Sequence, residues 1–233
     1  MTKEVLEQSG VRLSKVLAFR LGVSRREADD MIVAGRVKVG GKVAVLGQRV
    51  AESDEIVCDD EKVEPREKML YVVMNKPAGY VSSRRQQSDA PTLYELLPEK
   101  YQRLKTVGRL DRESSGLIML TDDGDFAFRM THPRFTKTKI YEVKLRTALE
   151  PLHQQMIGEM GVSLADGKSR LGLMSMSDDR RVWQVTMSEG RNRQIRRTFA
   201  ALGYEVVKLH RVSFGNYALD GLEEGKFRFV ERD

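Results

Sequence analysis

One stretch limits what this chain can become: Gly108-Arg109-Leu110-Asp111-Arg112-Glu113-Ser114-Ser115-Gly116-Leu117-Ile118-Met119-Leu120-Thr121-Asp122-Asp123-Gly124. It sets an acid between two arginines, brackets the group with glycines, and runs straight into four apolar residues. Glycine tolerates a left-handed backbone and lets a second chain approach closely. The run Leu117 to Leu120 predicts a strand in a buried sheet. The whole predicts a carboxylate on a rigid rim, with positive charge on either side. Asp122-Asp123-Gly124-Asp125 could pass for a calcium loop, but the glutamate required at the loop's twelfth position is missing. Capping of a following helix accounts for these acids better.

The segments around this stretch predict an α+β chain with a mostly antiparallel mixed sheet. Leu70 to Met74 reads as an apolar strand that ends in the turn Asn75-Lys76-Pro77-Ala78-Gly79. Residues 83–90 read as a mobile loop, and Thr92 to Leu97 as a short helix stopped by Pro98. Asp125 to Met130 gives one or two helical turns. In Lys139-Ile140-Tyr141-Glu142-Val143-Lys144-Leu145, Tyr141, Val143 and Leu145 share one strand face. Pro151 opens a helix to about Met160. Ile195, Phe199 and Leu202 lie on one face of a helix that Gly203 stops. Val206 to Phe214 and Phe227 to Val230 close the sheet.

The first sixty residues have a different character. After a polar start over 1–10 that reads as frayed, Leu13, Val16, Leu17 and Leu21 recur at helical spacing, and Gly22 ends the run. Ser24-Arg25-Arg26-Glu27 forms a capping box for a second helix ending at Gly35. Val37-Lys38-Val39, Gly40-Gly41 and Lys42-Val43 predict a tight hairpin. The division predicted is a small domain over 11–60, a charged linker over 61–69, and a large domain over 70–233.

Charge sharpens that division. Residues 1–50 carry ten Lys/Arg against five Asp/Glu, residues 51–70 three against eight, and residues 181–215 seven against two. Two basic zones around an acidic spacer suggest two surfaces gripping one polyanion. Cys58 is the only cysteine, so no intrachain disulfide can form and a reducing compartment is expected. The start, Met-Thr-Lys-Glu, lacks the apolar core of a signal peptide. No run approaches the ~20 apolar residues of a membrane span. A cytoplasmic protein with no membrane partner is expected.

Several chemistries find no residues to support them. His132, His153 and His210 are widely spaced and pair with no cysteine at a zinc spacing. There is no G-x-S-x-G elbow and no phosphate-cradling glycine loop. A second acid for paired-carboxylate hydrolysis is missing as well. What remains is Asp111 with cationic neighbours, and an aromatic alcohol such as Tyr141. An arginine at ~4 Å would keep such an acid ionised, and a dry carboxylate can act as nucleophile or base. On spacing alone, a turn-forming or salt-bridging Asp111 and a core Tyr141 are the commoner outcomes.

Two resemblances carry the reading further. The order of helix, S-R-R-E-A helix, G-R-V-x-V-x-G hairpin and D-x-I strand over 11–60 resembles the RNA-binding domain of ribosomal protein S-four type, also called alpha-L. It implies RNA contacts through Arg12, Ser24, Arg25, Arg26, Arg36 and Lys38. The pattern G-R-L-D-x-x-S-x-G-L-I-x-L-T-x-D-G at 108–124 is similar to the catalytic motif of pseudouridine synthases, within the RsuA-like branch that modifies ribosomal RNA. Asn75 to Gly79, Lys139-Ile140-Tyr141 and Glu189-Gly190 through Arg197 agree with it in order.

That resemblance implies Asp111 as the essential aspartate, Tyr141 as the residue that stacks on the target base, and Arg196 as the cation paired with Asp111. It implies no metal and no organic cofactor, and a monomer acting on a structured ribosomal RNA hairpin or an assembly intermediate. Lys76, Arg109, Arg112, Arg191, Arg193 and Arg197 are the expected RNA contacts of the large domain. Unlike some members, the sequence shows no long basic tail before its end at Asp233. Whether Asp111 attacks the sugar or assists loss of a ribose proton stays open. A non-catalytic RNA-binding ribosome-assembly factor that keeps the fold, and a glycosidase that releases the base, are the competing readings.

Overall fold

The structure, a computed structural model, describes residues 10–65, 68–84 and 89–233. Residues 1–9 of the start expected to be frayed, residues 66–67 of the expected linker and residues 85–88 of the expected loop lie outside them. The chain divides into two compact units, 1–69 and 70–233.

In the first unit β1 (Val11–Arg12) leads into α1 (Leu13–Leu21), which ends at Gly22 with φ of 75°. Helix α2 (Arg25–Val33) starts with the predicted capping box: Ser24 Oγ accepts the Glu27 amide, and Glu27 accepts the Ser24 amide in return. Each satisfies an amide left over at the helix start. A small antiparallel sheet follows, with β2 (Val37–Val39) between β3 (Lys42–Val43) and β5 (Ile56–Cys58), while β4 (Arg49–Val50) pairs with β1. Leu13, Leu17, Ala28, Ile32, Val37 and Ile56 form its core.

The expected linker begins later than the sequence indicates. Asp59 and Asp60 take left-handed backbone as a hairpin turn, and Glu61–Lys62 is a strand, β6, paired with β5. Val63 then buries its side chain in the small core. A two-residue strand made of two charged residues has no apolar alternation, so its pairing is set by the turn rather than by its own pattern.

The second unit is built on a nine-stranded sheet. From one edge the order is β13 (Gly172–Ser175), β14 (Val182–Met187), β10 (Lys139–Leu145), β15 (Val206–Phe214), β9 (Ser115–Thr121), β7 (Tyr71–Lys76) and β17 (Phe227–Phe229). Strands β8 (Lys105–Val107) and β16 (Tyr217–Ala218) pair with β9 and β15. A separate hairpin is formed by β11 (Val162–Leu164) and β12 (Gly167–Ser169). Every pairing in the large sheet is antiparallel except β9 with β15, the mostly antiparallel mixed sheet expected.

Strands β7 and β9 are buried along their full length. One face of the sheet packs Val72, Ile118, Val143, Trp183 and Phe199, and the other packs Val73, Leu117, Met119, Phe126 and Phe214. Helix α3 (Gly124–Thr131) is capped by Asp123, whose carboxylate accepts the Asp125 and Phe126 amides. Helix α4 (Pro151–Gln155) widens into a π-helical turn over Met156–Met160. Helix α5 (Gln194–Ala200) begins after Arg193, itself in left-handed backbone with φ of 47°.

Candidate active site

The Asp111 loop is clamped by its neighbours in space. Gly79 N donates to Arg112 O at 2.7 Å, and Ser114 N to Asp111 O at 3.1 Å. Ser82 Oγ accepts the Leu110 amide at 3.2 Å and donates to the Leu110 carbonyl at 2.9 Å. Leu110 is buried beneath the loop. Behind it lies Lys76, with no exposed surface, its Nζ donating to Pro77 O at 2.6 Å and Tyr80 O at 2.8 Å. Burial pushes the Lys76 ammonium down to about 8, and the charges of Asp111 and Glu224 oppose that fall. Lys76 therefore holds the turn against the acid loop, and its burial contradicts the expected RNA contact.

Glycine at 116 is a packing requirement. A Cβ there would lie 2.3 Å from the Arg211 carbonyl oxygen and 2.5 Å from its amide nitrogen, and φ is 102°. Only glycine lets β15 run parallel beside β9 at this register, which brings Arg211 to the same wall as Asp111.

Asp111 and Tyr141, from different elements, line one cleft of about 470 Å³, within the ~300–1,000 Å³ common for small-molecule sites. Its apolar wall includes Ile195, Leu209 and Phe214. Its cations are Arg109, Lys137, Lys139, Arg191, Arg193 and Arg211, against the carboxylates of Asp111 and Glu189. That imbalance makes it a receptor for an anionic ligand. Tyr141 is buried on β10, and its hydroxyl accepts from Arg211 Nη1 at 3.4 Å. Lys139 Nζ donates to Lys137 O at 3.1 Å and Glu189 O at 3.3 Å, and sits 5.1 Å from the Phe214 ring centroid. Burial, then the charge of Arg211, pushes Lys139 down to about 8.

The partner of Asp111 differs from the one expected. Arg193 Nη1 lies 3.7 Å from Asp111 Oδ2 and donates to Glu113 Oε2 at 2.7 Å. Arg196 instead donates to Val206 O at 2.8 Å and Glu113 O at 3.3 Å, and is outside the cleft lining. The left-handed turn at Arg193 starts α5 so that Arg193 faces the acid while Arg196, one helical turn on, is tied to β15. Burial and Arg193 lower the Arg196 guanidinium from its ordinary value, with Glu113 and Asp111 opposing.

The other expected contacts separate by partner. Arg109 is exposed and lines the cleft, while Arg112 is exposed outside it. Arg191 is taken up by Asp166, Gly167 and Lys168, and Arg197 makes a fork to both oxygens of Asp166 at 3.0 and 2.7 Å. These two fasten the β11–β12 hairpin to α5 rather than standing free for phosphate. In the small unit Arg12, Arg25 and Arg26 are exposed. Ser24 is engaged as the cap, Arg36 holds Asp59 with two hydrogen bonds, and Lys38 pairs with Asp60 at 2.8 Å.

Arg211 is the cleft residue that the sequence patterns did not single out. Its signal was present: it follows Leu209 by two on an alternating strand, so a cation occupies an inward position. Among the described residues no group of three or more His, Cys, Asp or Glu could hold a metal, and no helix is long and apolar enough to cross a membrane.

A loop carboxylate, Asp111, in a cleft where cations outnumber acids, on a mixed sheet preceded in the same chain by a small helix-and-hairpin unit, is the arrangement of an RNA-modifying class of enzyme. Residues 70–201 match the RNA pseudouridylate synthase family and residues 11–56 match the S4 domain; the chain belongs to that synthase family. A Bacillus subtilis protein named ribosomal large subunit pseudouridine synthase B is 38% identical over 223 residues, covering 93% of this chain and 91% of the relative. A Haemophilus influenzae protein named ribosomal small subunit pseudouridine synthase A is 36% identical, covering 94% and 95%. A crystal structure of a pseudouridylate synthase, 33% identical, superposes with a TM-score of 0.66 over 95% of this chain and 96% of that one.

Proposed function

We propose that this enzyme isomerises a uridine of ribosomal RNA to pseudouridine, with Asp111 as the reacting carboxylate and Tyr141 beneath the target base. The observation that carries the assignment is the shared cleft: Asp111 from a loop and Tyr141 from a central strand line one cation-rich cavity. The names of the relatives support ribosomal RNA as the substrate class.

The chemistry follows from the geometry. The uridine leaves its stack, at a cost of a few kcal/mol that stacking on Tyr141 would partly return. Exposed Arg109 meets a phosphate beside it, a contact that positions without reading sequence. Asp111 then serves the break of the N1–C1′ bond, the base turns, and C5 bonds to C1′. Arg193, 3.7 Å from Asp111 Oδ2, helps to aim the acid, and Arg196 anchors the helix from which Arg193 projects. In the small unit, Arg12, Arg25 and Arg26 are the free contacts for RNA. A ribosomal RNA substrate supports a cytoplasmic site of action, and the reading is of a monomer.

The test is pseudouridine mapping on ribosomal RNA transcripts and assembly intermediates incubated with the wild-type chain. One or a few uridines should convert. Free uracil with an abasic site would mark a glycosidase, and no change on any RNA would mark a binding factor; either result removes the isomerase assignment.

A further inference from the structure

Arg211 is buried at 3% exposure and lines the cleft beside Tyr141. Its Nε donates to Leu117 O at 2.7 Å and its Nη1 to the Tyr141 hydroxyl at 3.4 Å. The guanidinium carbon lies 5.9 Å from the Tyr141 ring centroid and 5.0 Å from that of Phe214. Nη2 is buried and has no hydrogen-bond partner. A charged donor kept dry and unpaired carries its full desolvation cost and calls for an explanation. Arg211, unlike Arg103 and Arg196, lines the cleft that also holds Asp111 and Tyr141, so a ligand group there can be its partner.

We propose that Arg211 Nη2 is the donor that binds a carbonyl oxygen of the extruded uracil and stabilises the base as it leaves the sugar. This rests on the isomerase reading and adds to it the group that receives the departing charge. A phosphate is the weaker candidate for this position, because Arg211 is buried while Arg109, exposed at the cleft, is the better placed cation for the backbone outside. A planar base lying on Tyr141 would instead present its edge to the neighbouring guanidinium.

The electron count gives the donor its role. Whether Asp111 bonds C1′ or removes a ribose proton, the base departs with the N1–C1′ bonding pair. That charge spreads over N1, O2 and O4 of the uracil. A fixed donor at one oxygen therefore binds the departing base more tightly than the bound uridine, the condition for accelerating the step. The turn about the N3–C6 axis that brings C5 to C1′ also exchanges O2 with O4. One donor can thus hold the base before and after the turn. C5 then gives a pair to C1′ as the Asp111–C1′ bond breaks with its pair returning to the carboxylate, or, on the other route, as Asp111 gives the ribose its proton back. C5 loses its own proton, and N1 takes one up. The step needs no oxidant or reductant.

The experiment uses the full chain and a synthetic hairpin carrying the uridine that the wild type isomerises. That position is made as uridine, 2-thiouridine or 4-thiouridine, since sulfur is the poorer acceptor. Arg211→Gln should lower the single-turnover rate on uridine by about 100-fold or more, the loss typical of such a donor, with hairpin binding within about twofold. At least one thio substitution should slow the wild type by about tenfold and leave Arg211→Gln unchanged, because the donor it weakens is already gone. Equal slowing of both enzymes by each sulfur, or slowing of neither, would overturn the proposal. Where Arg211→Gln fails to fold, judged by thermal unfolding, the wild type decides: no penalty from either sulfur overturns it. Absence of pseudouridine from the natural hairpin would remove the isomerase reading instead, a separate outcome.

Discussion

At the residue scale, the site shows why a motif locates an acid more reliably than its partners. Asp111 lies in a loop whose glycines and closing bond, Ser114 N to Asp111 O, are local in sequence, while Gly79 and Ser82 clamp it from about thirty residues away. Its cation comes from a helix start some eighty residues away, and a left-handed turn at Arg193 decides which arginine faces it. Nothing in the string of arginines from 191 to 197 announces that turn. Lys76 was equally opaque, since a lysine beside proline and glycine reads as exposed until the strand before it is known to be buried along its length. Its burial has a measurable consequence. The folded value is about 8, against an ordinary 10.5, so between those limits the unfolded chain binds the extra proton and stability rises with pH. Below about 8 the burial penalty is in full force; above about 10.5 it is gone. The wild-type unfolding free energy minus that of Lys76→Met should therefore grow by about 1–3 kcal/mol from near pH 8 to near pH 10. Urea unfolding followed at the single tryptophan, buried Trp183, measures it, and a flat difference would contradict the assignment.

At the scale of elements, patterns that rest on local chemistry are legible and those that rest on pairing are not. The capping box at Ser24 and the cap at Asp123 form as the residue order indicates. The strand at Glu61–Lys62 had no such signature, and the π-helical turn after α4 has none either. The parallel contact of β9 with β15 is visible only as a glycine in the motif. It predicts a sharp contrast between two glycines that both have positive φ. At Gly203 a Cβ meets nothing within 4 Å, so Gly203→Ala should cost only the backbone strain, about 1–3 kcal/mol. Gly116→Ala drives a Cβ into the backbone of Arg211 and should cost clearly more, or prevent folding of the large unit. Urea unfolding read at Trp183 separates the two; equal losses would show that the close approach is relaxed cheaply.

At the scale of the molecule, the two units divide where composition changes, and each buries its own core. Among the described residues, the apolar clusters of the large unit are made of side chains from 70–233. A chain starting at Leu70 should therefore unfold cooperatively by the Trp183 signal. It should bind its RNA about tenfold or more weaker, because a tethered second RNA-binding module raises the effective concentration of the first, and its affinity should fall less steeply with salt, because the phosphates met by Arg12, Arg25 and Arg26 are no longer neutralised. Non-cooperative unfolding, or an unchanged salt slope, would contradict this division of labour. The net charge of +6 fits a polyanionic substrate, but the assignment stands on one carboxylate. The measurement that tests it most directly is single-turnover pseudouridine formation by Asp111→Asn, which keeps the shape of the side chain and removes its charge. The account predicts no detectable product with RNA binding within about twofold of wild type; a variant that still isomerises at a comparable rate would place the chemistry elsewhere.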